Sequence, residues 1–200
     1  MKEKILHEAG ELFMRYGIRS VTMDEIARQL GISKKTLYQV VENKADLIQQ
    51  VMYQRTTEDL ETFTQIKANS ENAIEEMLGL ARHTVELLSK TSSTVMYDLQ
   101  KYYRDSWQLM EALHKKHAYA LIQNNIEEGK KQGFYRPDVD ADVSARFYVA
   151  LSLSLIDEQL FPQKNYRKEQ LVEQYISYHI HGIATPMGVA LLEEHLIQTA

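Results

Sequence analysis

Helix breakers are scarce in this 200-residue chain, which has three prolines and eight glycines. A backbone so seldom interrupted favours long helices, because proline removes a main-chain donor and an interior glycine costs about 1 kcal/mol. Apolar residues recur at helical spacing throughout, and no stretch sustains the period of two that a half-buried strand requires. The fold class read from this is all-α.

The start and stop signals are specific enough to divide the first fifty residues. Ile5, Ala9, Leu12, Phe13 and Tyr16 share one face of a first helix, which Gly17 ends with Ile18 placed to close the cap. Thr22 and Glu25 have the spacing of a capping box and open a second helix with Ile26, Ala27 and Leu30 as its buried stripe. Gly31 breaks that helix, Ile32 points inward, and Ser33 caps a third helix carrying Lys34 to Gln39. Asn43 and Asp46 cap a fourth, running through Leu47, Ile48, Val51 and Met52 towards Ile66. Further helices are predicted near 71–89, 93–103, 105–132, 140–160, 168–184 and 187–198. Gly133, Pro137, Pro162 and the pair Thr185 and Pro186 mark the breaks between them.

Two short helices joined by a glycine turn, with small Ala27 where they cross, have the spacing of a DNA-binding helix-turn-helix. The third helix is then the recognition helix, and its first turn offers Lys34, Lys35 and Thr36 to base edges. Lysine donates to guanine, and Gln39 has the paired donor and acceptor that read adenine. Thr22, Tyr38 and Lys44 suit phosphate contacts, Lys44 because it stands where unpaired N–H groups of a helix start already favour an anion. Charge is compatible only locally. The chain carries −5 overall, but residues 1–47 balance at +1 and the remainder holds −6.

The run from Val21 to Leu47, with Ala9 to Phe13, Tyr16 and Gly17 before it, resembles the N-terminal signature of the tetracycline-repressor (TetR) family. The resemblance covers residues 3–50. It implies that Thr36 and Tyr38 touch DNA and that Lys44 binds phosphate at a helix start. It further implies a homodimer on double-stranded operator DNA, with repression as the usual output. Family members often carry an aromatic pair after the Leu-Tyr, where this chain has Gln39, Val40 and Val41, and Glu42 adds a negative charge at that end.

The domain division read here is a three-helix DNA-binding domain over 1–47 and a larger helical effector-binding and dimerisation domain over 48–200. Within the second, Tyr97, Tyr102, Tyr103, Trp107, Met110, Tyr119 and Phe147 are the candidate ligand-binding residues, because aromatic rings with hydroxyl ends supply both apolar lining and polar anchors. The expected effector is an apolar or amphipathic small molecule held in the core of residues 55–160. The 140–160 helix is apolar nearly all round and must be buried on more than one side. With the following helix it offers Leu151, Leu155, Leu171, Val172, Tyr175, Ile176 and Ile180 as candidate dimer residues.

Other function classes are disfavoured. Cysteine is absent, which removes disulfides and thiolate metal sites and fits a reducing cytoplasm. His114 and His117 lie on one helix face and His179 and His181 close together, but no compact metal motif surrounds them, so no metal or cofactor is expected. No nucleophile elbow, phosphate-cradling glycine loop or zinc-protease motif occurs, and no enzymatic role is expected. The stretch from Phe147 to Ile156 falls far short of the ~20 apolar residues a bilayer takes, so no membrane partner is expected. The alternative kept open is a ligand-independent DNA-binding dimer that recruits a protein partner.

Overall fold

The computed structural model describes residues 1–198, and among them every regular element is helical. The order is α1 (Lys2–Tyr16), α2 (Met23–Gln29), α3 (Lys34–Leu37), α4 (Lys44–Asn69), α5 (Ala73–Lys90), α6 (Ser93–Tyr102), α7 (Arg104–Lys131), α8 (Ala141–Ser154), α9 (Lys168–Ile183) and α10 (Pro186–Gln198). Tyr135 and Ala184 form an isolated bridge.

The chain forms two compact units, each joined from separate segments of the sequence. The first joins Met1–Glu61 to Leu88–His114, and the second joins Thr62–Leu87 to Lys115–Ala200. The physical reason is visible in the first core. Ile5, Phe13, Ile26, Leu37 and Leu47 are sealed from solvent together with Val95 and Leu99 of α6, so α6 completes the apolar surface that α1–α4 leave open. Tyr103, Trp107 and Met110 pack against the same cluster. Tyr16, expected on the buried face of α1, is exposed and lies under the Arg15 guanidinium at 5.2 Å.

The second unit is held by a buried polar network as well as by apolar packing. Asn125 of α7 donates to the Ala73 carbonyl at 2.9 Å and to Glu76 of α5 at 2.8 Å, and the Tyr135 hydroxyl donates to the Asn125 carbonyl oxygen at 3.0 Å. Burial pushes the Glu76 carboxyl above its usual range, and the Tyr135 hydroxyl likewise. Gly129 makes room for this network, since a Cβ there would lie 2.1 Å from the Tyr135 ring. Thr185 opens α10 as the sequence suggests, its hydroxyl donating to the Gly133 carbonyl at 2.8 Å and accepting the Gly188 N–H at 3.2 Å.

α8 departs from expectation twice. It stops at Ser154 rather than 160, because the Asp157 carboxylate captures the Gln159 N–H at 2.8 Å and turns the chain. It is also not buried all round: Val143, Phe147 and Leu151 form an exposed outer row, while Tyr148 and Val149 face inward. On α9, Val172, Tyr175, Ile176 and Ile180 all turn into the chain's own core, the Tyr175 hydroxyl donating to the Tyr148 carbonyl at 2.7 Å. Apolar content marked both helices as interior without telling which interior each face serves.

His179 sits in that core, 4.9 Å from the Tyr148 ring, with its Nε2 atom lacking a hydrogen-bond partner. Burial pushes its pKa down to about 4. Two outcomes follow for unfolding experiments. Gly129→Ala should lower stability by about 2 kcal/mol in urea titration, since the new methyl displaces a sealed tyrosine; an unchanged midpoint would contradict the close approach. His179 is neutral when folded but takes a proton near pH 6.5 when unfolded, so its contribution is complete above pH 6.5 and is lost as pH falls towards 4, a span of roughly 3 kcal/mol. Relative to His179→Phe, the wild type should therefore weaken across that window, and a difference independent of pH would refute the assignment.

Candidate nucleic-acid interface

The interface begins at the cap of α2. The Thr22 hydroxyl accepts the Glu25 N–H at 3.2 Å, and the Glu25 carboxylate takes both the Thr22 N–H at 2.7 Å and its hydroxyl at 2.9 Å. These hydrogen bonds hold the Glu25 carboxyl below its ordinary range. Such caps stabilise a helix by about 1 kcal/mol, a large share for one of seven residues.

The turn after α2 depends on backbone conformation. Gly31 has φ +65°, a left-handed value that side chains disfavour, although a Cβ there would meet open space. The Ile32 N–H closes the turn on the Ala27 carbonyl at 3.0 Å. Ser33 then caps α3 by accepting the Thr36 N–H at 3.0 Å, and its hydroxyl lies 2.8 Å from that of Thr36. α3 is shorter than the sequence suggests. Past Leu37 the ladder tightens, with Val40 N–H bonding to the Leu37 carbonyl rather than to that of Thr36.

Leu37 is fully sealed, so the opposite side of this short helix must face outward. Lys34, Lys35 and Gln39 are exposed, Tyr38 is 46% exposed, and Thr36 is half-buried beside Ser33. Lys34 pairs with Asp24 at 2.5 Å, yet both side chains are more than half exposed, so a competing ligand displaces that contact at a cost of about 1 kcal/mol or less. The Lys35 side chain has no ionic or hydrogen-bonding partner among the described residues.

Lys44 is placed differently. It begins α4, which Asn43 caps by accepting the Asp46 N–H at 3.0 Å, but its ammonium donates to the Val21 carbonyl at 2.5 Å. Partial burial lowers its pKa, opposed by the nearby carboxylates of Asp98 and Glu25. Lys44 thus ties the start of α4 to the residue preceding the Thr22 cap. Beside it, the Arg19 N–H donates to Asp98 at 2.9 Å, and the Arg19 guanidinium stacks 4.3 Å above Tyr102 while donating to its hydroxyl. Asp98 and Arg19 escaped the sequence reading because their pairing joins positions 79 residues apart.

The seven aromatic and Met candidates are divided by the structure. Tyr97 and Tyr102 are exposed on α6, with Lys101 donating to the Tyr97 hydroxyl, and Tyr103, Trp107 and Met110 cover the first core. In the second unit, Tyr119 donates to Asp142 at 2.5 Å and lies under Arg146, and Phe147 is 66% exposed. None lines a cleft found within the second unit. That cleft, of about 430 Å³, runs between one face of α4, carrying Thr62, Gln65, Ile66 and Asn69, and one face of α5, carrying Glu75, Leu78, Gly79 and Arg82, with His195 of α10 at one end. Its walls are mostly polar. Gly79 was its only sequence signal, an interior helix glycine whose cost implies a close approach. No group of three metal-ligating side chains occurs among the described residues.

Comparison with known proteins bears on this geometry. Residues 5–51 match the family of bacterial regulatory proteins described as the tetR family. Over 185 residues the chain is 25% identical to the HTH-type transcriptional regulator YvaF of Bacillus subtilis, covering 92% of this chain and 95% of that one. It is 23% identical over 192 residues to the HTH-type transcriptional repressor KstR2 of Mycolicibacterium smegmatis, covering 94% and 92%. Among solved structures, a transcriptional regulator of Saccharomonospora viridis in complex with choline shares the fold with a TM-score of 0.74 at 20% identity, over 92% of this chain and 97% of that one.

Proposed function

We propose that this chain, whose residues 5–51 match the tetR family of bacterial regulatory proteins, is a transcriptional repressor that grips a near-palindromic operator as a homodimer and releases it when a small molecule binds. The observation that carries the proposal is the outward first turn of α3, anchored by buried Leu37 and held by the Ser33 cap. In the major groove, Lys34 and Lys35 donate to guanine edges, Gln39 reads adenine, and Thr36 and Tyr38 contact base or phosphate. Thr22 lies at the phosphate backbone. Lys44 meets phosphate there only by exchanging its bond to the Val21 carbonyl.

Two copies are needed to cover both half-sites, and the outer row of α8 supports that arrangement. Val143, Phe147 and Leu151 are exposed on α8, and Tyr178 is 74% exposed on α9. A two-fold axis brings the same faces together from both chains. Leu155 and Leu171 lie half-buried on these helices, whereas Val172, Tyr175, Ile176 and Ile180 contribute by stiffening the protomer beneath. The effector acts through the second unit. A coupling of ~1–3 kcal/mol weakens operator binding roughly 5- to 150-fold, enough for switching. No helix among the described residues is long and apolar enough to cross a membrane.

Replacing Lys34 and Lys35 together by Ala should weaken operator binding and flatten its dependence on salt, measured by fluorescence anisotropy. Binding unchanged in strength and slope would refute the assignment of α3. In sedimentation, the wild type should be dimeric at micromolar concentration and Phe147→Asp a folded monomer; a monomeric wild type would defeat the dimer.

A further inference from the structure

We propose that the α4–α5 cleft of the second unit binds a small amphoteric carboxylate, with its acid group on Arg82 and a protonated amine on Glu75. The proposal rests on the regulator reading only for its consequence at the operator, not for binding itself. The cleft volume of about 430 Å³ lies in the range of small-molecule sites.

Arg82 is the anchor. Its side chain has no ionic or hydrogen-bonding partner among the described residues, unlike those of Arg19, Arg55, Arg136 and Arg146. Its guanidinium does not extend away from the helix. A Cβ built on Gly79 would lie 3.9 Å from its Nη2 atom, so the group folds back over the glycine and beside Ile66. A side chain at 79 would fill that space and press on Ile66 at 2.6 Å, so the absence of one leaves the guanidinium lying along the cleft wall. A planar fork of N–H donors so placed matches a carboxylate with two parallel hydrogen bonds.

Glu75 supplies the opposite charge at the other end. It lies seven residues before Arg82, two turns along the same face, which separates the two backbones by about 10 Å. One of its oxygens accepts the Glu71 N–H at 2.9 Å, and the other lies 3.6 Å from His195 Nε2. Both side chains of that pair are about three-quarters covered, 26% and 28% exposed, which reduces the water available to solvate them. Leu78 is buried and Ile66 half-buried between the two charged ends, an apolar strip for a short methylene chain. A dicarboxylate would set one acid group against Glu75. A simple amine would leave Arg82 unused. An ω-amino acid of about six carbons satisfies both ends and the strip.

Titration calorimetry on the full-length protein tests this with 6-aminohexanoate as the probe and hexanoate, hexylamine and adipate as comparisons. The first should bind, and each comparison should bind on the order of tenfold more weakly, because each leaves one charged end unmatched. Arg82→Ala and Glu75→Gln should each cost a similar factor, with Arg82→Lys recovering part of it, while far-ultraviolet dichroism and ligand-free operator affinity stay unchanged. Absence of 6-aminohexanoate binding, equal binding by Arg82→Ala, or adipate binding as tightly would each overturn the proposal. If 6-aminohexanoate binds in this pattern but leaves operator affinity unaltered, the site stands and it is the effector-release reading that falls.

Discussion

The seating of Leu37 determines where the groups proposed to face DNA point. A helix of four residues has no stability of its own, because the cost of the first turn is never recovered over so short a length. Burying one leucine contributes roughly 1.5–3 kcal/mol, and the Ser33 cap about one more. These two terms, with the left-handed Gly31, fix the turn on which Lys34, Lys35 and Gln39 stand. The remaining parts of the first unit serve the same end, since Ile26, Leu47, Val95 and Leu99 build the cluster that receives Leu37.

That cluster explains why the first unit is discontinuous in sequence. α6 is distant along the chain but supplies two sealed residues, and Asp98 takes a backbone N–H from the loop between α1 and α2. The loop leads directly to Val21, whose carbonyl holds Lys44, and to the Thr22 cap. A short chain of hydrogen bonds therefore links α6 to the starts of both α2 and α4. Helices α4, α5 and α7 each contribute residues to both compact units.

Local chemistry was legible in the sequence wherever one backbone feature demanded one residue type. Thr22 with Glu25, Gly31, Ser33, and Thr185 with Pro186 each announced a helix end that the structure contains. Position within three-dimensional packing was far less legible. Periodicity shows that α8 and α9 are amphipathic or wholly apolar, but it cannot distinguish Phe147, which faces outward, from Val172, which faces the chain's own core. Aromatic residues were hard to sort for the same reason. Tyr102 and Trp107 are five positions apart, yet one stacks with Arg19 at the surface and the other covers the first core. The polar cleft was nearly invisible, because Gln65, Asn69 and Arg82 read as ordinary solvated positions until two helix faces meet.

The most direct measurement is selection of bound duplexes from a random DNA pool by the purified protein. An outward lysine-bearing turn, presented twice by the proposed two-fold dimer, predicts enrichment of a near-palindrome whose half-sites lie about one helical turn, or a multiple of it, apart. A pool that emerges without any enriched sequence, or with a single asymmetric element, would contradict it.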